Sequence, residues 1–220
     1  MEEGKEMGGD KPAPAVKKET PVEKQVIVLF AVLAIIFVSF LVSYQYFKPS
    51  NSFKYHDFTV YKQKLEGTTV DFYILPLKIG DKAPTNLMIR NDPREIENMT
   101  FEVNESFWRG MRGLLITTDV NYTSLATIAA GEIGSFVGLI GVEADYGFTT
   151  EIGGYPTITC ADATNVTKVI DIRLGNETKV YSEGDCMIVE GVDYDSMIKA
   201  SDKVVITWLE RIYTAVEVNK

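Results

Sequence analysis

The chain has 220 residues, 22 Lys plus Arg against 31 Asp plus Glu, and a formal net charge of −9. An acidic balance of that size argues against nucleic acid and anionic lipid headgroups as partners. Two cysteines and a single histidine, His56, do not make a spaced zinc ligand set.

In chain order, residues 1 to 24 combine three Pro, three Gly, five Lys and six Asp plus Glu with almost no large apolar side chain. Such a segment cannot bury a core, and a disordered cytosolic tail is expected. Residues 25 to 47 (QVIVLFAVLAIIFVSFLVSYQYF) carry no charge and stand between Lys24 and Lys48. As a helix these 23 residues span about 34 Å, enough to cross a hydrocarbon core of about 30 Å. Tyr44, Tyr46 and Phe47 gather at one end, where amphipathic rings favour the headgroup region. A transmembrane anchor in the lipid bilayer is expected. A cleaved signal peptide fits poorly, because the run is too long, the residues before it are of mixed charge and SYQYFKPS offers no small-x-small site. A prepilin-type leader would place Gly just before the run, where Glu23-Lys24 stand.

Lysines do not set the orientation, since Lys11, Lys17, Lys18 and Lys24 before the span match Lys48, Lys54, Lys62 and Lys64 after it. N-x-[ST] sequons do. They occur at Asn98, Asn104, Asn121, Asn165 and Asn176, all after the span and well above chance for this composition. Cys160 and Cys186 also follow the span, and a disulfide between them is favoured outside the cytosol. The expected topology is single-pass in a cell membrane, amino terminus inside and residues 48 to 220 outside as one extracytoplasmic domain.

The domain reads as α+β or mixed α/β, with a strand-rich first half and two main helices. FKYHDFTV (53 to 60), TTVDFYILPL (68 to 77) and TNLMIR (85 to 90) suggest a meander, punctuated at Glu66-Gly67, Gly80-Asp81 and Asn91-Asp92-Pro93. GLLITT (113 to 118), a helix over 122 to 141 and a strand near 142 to 150 form a βαβ-like unit. TITC (157 to 160), KVIDIRL (168 to 174), Thr178 to Tyr181 and CMIVEG (186 to 191) read as further strands. A closing helix from Asp195 to Val216 shows Met197, Ile198, Val204, Val205, Trp208, Leu209, Ile212 and Tyr213 at helical spacing.

The helix of 122 to 141 has an apolar face and a face of small residues that includes Gly131, Gly134 and Gly138. Helical glycines each cost about 1 kcal/mol relative to Ala, and close approach of another backbone is the usual compensation. The partner is either the chain's own last helix or another subunit. Gly141 or Gly138 can instead end the helix as a C-cap. Glu132 is the only charge in 125 to 142, apolar enough for a second membrane crossing, but that crossing would leave sequons on both sides of the membrane.

Catalytic signals are sparse. A nucleophile–histidine constellation would have to use His56, expected in a strand close to the membrane. There is no phosphate loop, dinucleotide fingerprint or metal motif, so no cofactor is expected. Asp193-x-Asp195-Ser196 reads as a helix N-cap, and Asn91-Asp92-Pro93-Arg94 as a turn with a structural Arg. With the short tail, the single anchor, the strand-rich start ending in NDPR and the later TC and C pair, the chain resembles a class of archaeal membrane-anchored proteins with one extracytoplasmic domain. The resemblance covers most of residues 26 to 215, implies the same topology and implies no activity. The expectation is a non-enzymatic envelope module for binding or assembly, with a homo-oligomer or another envelope protein as partner. The alternatives are an exported carboxylate-dependent hydrolase and a pilin-like filament subunit.

Overall fold

A computed structural model of the chain describes residues 21–47, 51–78 and 84–218, in two units, Met1–Ser50 and Asn51–Lys220. Tail residues 1–20 and the expected turn at Gly80-Asp81 lie outside the described residues. In the first unit, α1 (Pro21–Phe47) starts with proline, whose missing N–H and fixed φ suit the first helical turn. The helix therefore begins before residue 25 and takes in the last residues assigned to the tail. Its stretch Lys24–Tyr44 has a mean hydropathy of 3.1 and is not buried by the rest of the chain. By length and composition it is able to cross a membrane.

The second unit opens with an antiparallel meander of β1 (Ser52–Tyr55), β2 (Phe58–Lys64), β3 (Asp71–Leu77) and β4 (Thr85–Ile89), in that spatial order. Alternation buries one face: Phe58 and Val60, then Tyr73, Leu75 and Leu77, then Leu87 and Ile89. The stretch expected as one strand over 53 to 60 is a hairpin. His56, at φ 47°, takes the left-handed turn conformation, so it is not a strand residue.

The chain continues through β5 (Phe101–Glu102), α2 (Glu105–Trp108), β6 (Gly113–Thr118), α3 (Ser124–Ile140) and β7 (Glu143–Phe148). Then follow β8 (Thr167–Leu174), β9 (Lys179–Glu183), β10 (Cys186–Gly191) and α4 (Tyr194–Val218). These strands form a six-stranded sheet in the order β5-β9-β10-β8-β6-β7, parallel from β10 through β7. The expected βαβ unit is β6-α3-β7. Helices α3 and α4 pack together and cover the face carrying Leu114, Ile116, Ile170, Ile172, Met187 and Val189. Aromatic contacts knit α2 into this layer, with Trp108 and Trp208 at 5.0 Å and Phe136 and Trp208 at 5.8 Å.

On the opposite face a smaller cluster joins Val169, Cys186 and Ile188 to Ile158 of the long β7–β8 connection. The Cys160–Cys186 disulfide fixes that connection to β10. TITC is not a full strand: Thr157 makes one bridge to Phe148, and Cys160–Asp162 form a 3₁₀ turn. Both main helices are capped as their sequences suggest. Asp193 Oδ1 accepts from Ser196 N at 2.7 Å before α4, and Gly141, at φ 86°, closes α3 in the left-handed conformation.

The glycines of α3 behave differently from the close-backbone expectation. A Cβ on Gly134 would fall on the hydroxyl and ring of Tyr146, so a side chain from β7 fills that space. A Cβ on Gly131 or Gly138 would meet nothing within 4 Å, so neither faces another backbone in the chain. Gly131→Ala and Gly138→Ala should therefore each stabilise the domain by about 0.5 to 1 kcal/mol in chemical denaturation, through helix propensity alone. Gly134→Ala should gain less or lose, because Tyr146 must leave. The disulfide closes a long loop, with a sequence separation of 26. Chain entropy values such a closure at about 3.5 kcal/mol, so Cys160→Ser, Cys186→Ser and the double variant should all lose about 2 to 4 kcal/mol, the double no more than either single.

Candidate functional site

Strand β4 ends at Ile89 and runs into Arg90-Asn91-Asp92-Pro93-Arg94, where the proline stops the strand and the chain turns. Asp92 organises the turn: its Oδ1 accepts from Arg94 N and Nε at 3.0 and 2.9 Å, and its Oδ2 from Arg94 Nη2 at 2.6 Å. Burial disfavours the Asp92 charge, but the Arg94 hydrogen bonds outweigh it and hold the carboxyl below its ordinary value. Arg94 also lies over the Phe53 ring at 3.7 Å, as a structural Arg should.

The other half of the turn reaches into the core. Asp202 of α4 has no exposed surface, and its Oδ2 accepts from Arg90 N (3.2 Å), Asn91 N (2.8 Å) and Asn91 Nδ2 (2.8 Å). Glu132 of α3 accepts from Arg90 Nε at 3.0 Å through Oε1. The remaining oxygens, Glu132 Oε2 and Asp202 Oδ1, are buried and receive no N–H. The two carboxyl groups lie within hydrogen-bonding reach of each other, and two acceptors bond only if one carries a proton.

Electrostatics place that proton on Glu132. Burial, then the Asp202 charge, push the Glu132 carboxyl up to about 9 against the opposing pull of Arg90. Burial also raises Asp202, but the Asn91 donors oppose it and favour its charged form. Three N–H donors hold Asp202 as the anion, whereas Glu132 has one. The arrangement is a carboxyl–carboxylate pair locking α3 and α4 to the end of β4.

Arg90 is also the residue shared by two clefts. One, of about 450 Å³, runs between the outer face of β3–β4 (Phe72, Met88) and α3 (Ile128, Glu132, Leu139). The other, of about 410 Å³, is lined by Val70, Leu125, Asp195, Ile198 and Lys199 as well as Arg90. A second charged cluster lies on the opposite face of the six-stranded sheet. There Arg173 donates to Tyr181 at 2.5 Å and lies 3.4 and 3.7 Å from the carboxylates of Asp171 and Glu190. The Glu190 side chain occupies the space above Gly175, which gives this cluster a packing role.

The residues singled out from sequence are scattered relative to these clefts. Asn98, Asn104, Asn121, Asn165 and Asn176 are all exposed, on loops and element ends. Cys160 and Cys186 lie behind the sheet. Gly131 alone of the three glycines lines the larger cleft, beside Glu132. His56 is exposed, bonds Glu210 at 2.6 Å and stacks on Tyr55. Among the described residues no group of three or more His, Cys, Asp or Glu is arranged to hold a metal ion. Arg90, Asp202 and the role of Glu132 escaped sequence reasoning, although Glu132 was visible as the lone charge in an apolar helix.

No known protein family matches the chain, and no curated protein matches it. Among solved structures, a GH138 enzyme targeting pectin rhamnogalacturonan II is similar over 44% of this chain and 13% of that chain, at 13% identity and a TM-score of 0.34. A similarity of that size does not define a shared fold.

The carboxyl pair makes a prediction with a definite sign. The folded pKa of Glu132 lies above its ordinary 4.5, so the unfolded chain releases this proton first. The stability it contributes is complete below pH 4.5 and is lost as pH rises towards about 9. Glu132→Gln, whose amide N–H replaces the proton, should flatten that dependence in melts from pH 5 to 10 with little loss at neutral pH. Asp202→Asn should likewise be tolerated, its amide donating to an ionised Glu132. The double variant sets two amide NH₂ groups against each other and should lose about 2 to 4 kcal/mol beyond the sum of the singles.

Proposed function

We propose that this chain is a single-pass, membrane-anchored protein of the cell envelope, with α1 in the bilayer, the amino terminus in the cytosol and the domain outside. The domain serves as a non-enzymatic binding or assembly module. Five exposed sequons and a disulfide, all in the unit that follows α1, support the orientation. The reading as a module rests on one observation. The convergent acids, Glu132 and Asp202, are engaged with Arg90, Asn91 and each other, while the clefts beside them stay open. A hydrolase would need both acids facing the cleft; Glu132 lines it, but Asp202 has no exposed surface. The larger cleft, with its apolar walls and few polar groups, has the make-up of a recognition site.

Two measurements on intact cells test this. Added protease should remove the domain and spare the amino-terminal tail; cleavage of the tail with the domain protected would reverse the topology. A photo-reactive side chain at Met88, in the larger cleft, should give discrete adducts, while one at Tyr181, behind the sheet, should not. Equal labelling at both positions would take the cleft out of the reading.

A further inference from the structure

We infer that the larger cleft beside Arg90 binds a monoanionic carboxylate carrying an apolar tail, the carboxylate on the Arg90 guanidinium and the tail between β4 and α3. This assignment rests on the domain being a binding module and names the class of ligand it takes.

The guanidinium is held from three sides. Its Nε donates to Glu132 Oε1 at 3.0 Å, its plane lies over Phe72 at 5.3 Å from the ring centroid, and the backbone N–H of Arg90 is fixed on Asp202 at 3.2 Å. Among the described residues, Nη1 and Nη2 donate to nothing, although the side chain is 30% exposed and lines both clefts. An arginine whose stem is fixed and whose terminal donors are free is a receptor prepared for a planar oxyanion, because little rotamer freedom remains to be lost on binding.

Charge and shape narrow the ligand. Glu132 and Asp202 share one proton, so together they balance Arg90 and leave the trio neutral. An incoming monoanion then meets one guanidinium and no net negative charge. Asp195 and Lys199 face the adjoining cleft and offset each other there. Among the described residues lining the larger cleft Arg90 is the only cation, which suits one negative charge and disfavours a phosphate dianion. Beyond Arg90 and Glu132 the walls include Phe72, Met88, Ile128 and Leu139, a surface for a hydrocarbon or aromatic tail, with Asn86 and Ser135 as the other polar groups. Gly131 keeps the floor next to Glu132 low, since a Cβ there would meet nothing within 4 Å.

The test uses the full chain in lipid nanodiscs, titrated calorimetrically with 3-phenylpropanoate as probe. Saturable one-to-one binding is expected. It should weaken about tenfold or more for acetate, which lacks the tail, and for 3-phenylpropanol, which lacks the charge. Arg90→Lys should weaken it by a similar factor, because an ammonium offers no fork. Gly131→Leu puts a side chain into the cleft at a position where a Cβ meets nothing within 4 Å and favours the helix, so it should abolish binding with no loss of melting temperature. Undiminished binding in Gly131→Leu, tighter binding of 3-phenylpropyl phosphate, or no saturable binding of the probe would each overturn the inference. Discrete adducts at Met88 without probe binding would overturn this ligand class and leave the binding module standing. Silence in both experiments would remove both.

Discussion

A carboxylate with no exposed surface is tolerated only where donors replace the water it has lost, and Asp202 is the group in this domain that imposes the condition most severely. Three N–H donors from Arg90 and Asn91 meet it, and all come from the few residues after β4. The last strand of the meander must therefore end where it does, with its turn directed at α4. Glu132 extends the constraint to α3 through Arg90 Nε and through the proton it shares with Asp202. Four side chains thus set the register between an antiparallel sheet and a helical layer that apolar packing alone would leave free to slide. Removing one partner of such a group leaves a buried charge uncompensated, a loss of about 3 to 5 kcal/mol in comparable pairs.

The second sheet obeys a different constraint. Parallel strands require crossovers, and a parallel sheet needs cover on both faces. One face is covered by α3 and α4, whose apolar stripes match the inward residues of β6, β8 and β10. The other is crossed by the β7–β8 connection, which has little regular structure of its own and buries only a small cluster around Ile158. Hydrophobic burial there is modest, so the covalent link from Cys160 to Cys186 does for this face what a helix does for the other. Asp171, Arg173, Tyr181 and Glu190 then pair among themselves on the part of that face where the sheet still meets water.

Much of this was legible in the residues. Period-two alternation with turn residues identified the meander, and period 3.6 identified both long helices, because those patterns are local. The failures were local as well. His56-Asp57 breaks 53 to 60 into a hairpin without Gly or Pro to announce it, since His56 itself takes the left-handed conformation. TITC has strand composition but only Thr157 finds a neighbour. The glycine spacing in α3 suggested a helix pressed on a backbone, whereas Gly134 accommodates Tyr146 from a strand and Gly131 opens a cleft. The Arg90 site could not be assembled from sequence, because its members are 42 and 112 positions apart and only folding brings them together. A signal was present all the same. Glu132 falls on the same helical face as Ile128 and Phe136, and Asp202 lies between Ile198 and Val205 on the buried stripe of α4. An acid at a core position of an amphipathic helix demands a partner elsewhere in the chain.

Two neighbouring acids with raised pKa values are the usual mark of acid–base chemistry, yet here both are engaged with Arg90 and Asn91 at the end of β4. A glycosidase keeps its carboxyl groups about 5 to 9 Å apart because the scissile bond, with or without a water, must fit between them. Glu132 and Asp202 lie within hydrogen-bonding reach of each other, closer than that spacing allows, and a proton shared by the pair is engaged between them. Beside Glu132 the cleft is lined by an arginine held still, whose terminal nitrogens donate to none of the described residues. Fixing a cation at the rim by ionising one buried acid and protonating its neighbour gives a rigid donor fork without surrounding it with excess negative charge. In the proposed binding module, such a fork beside an apolar wall discriminates between ligands by charge and shape at once.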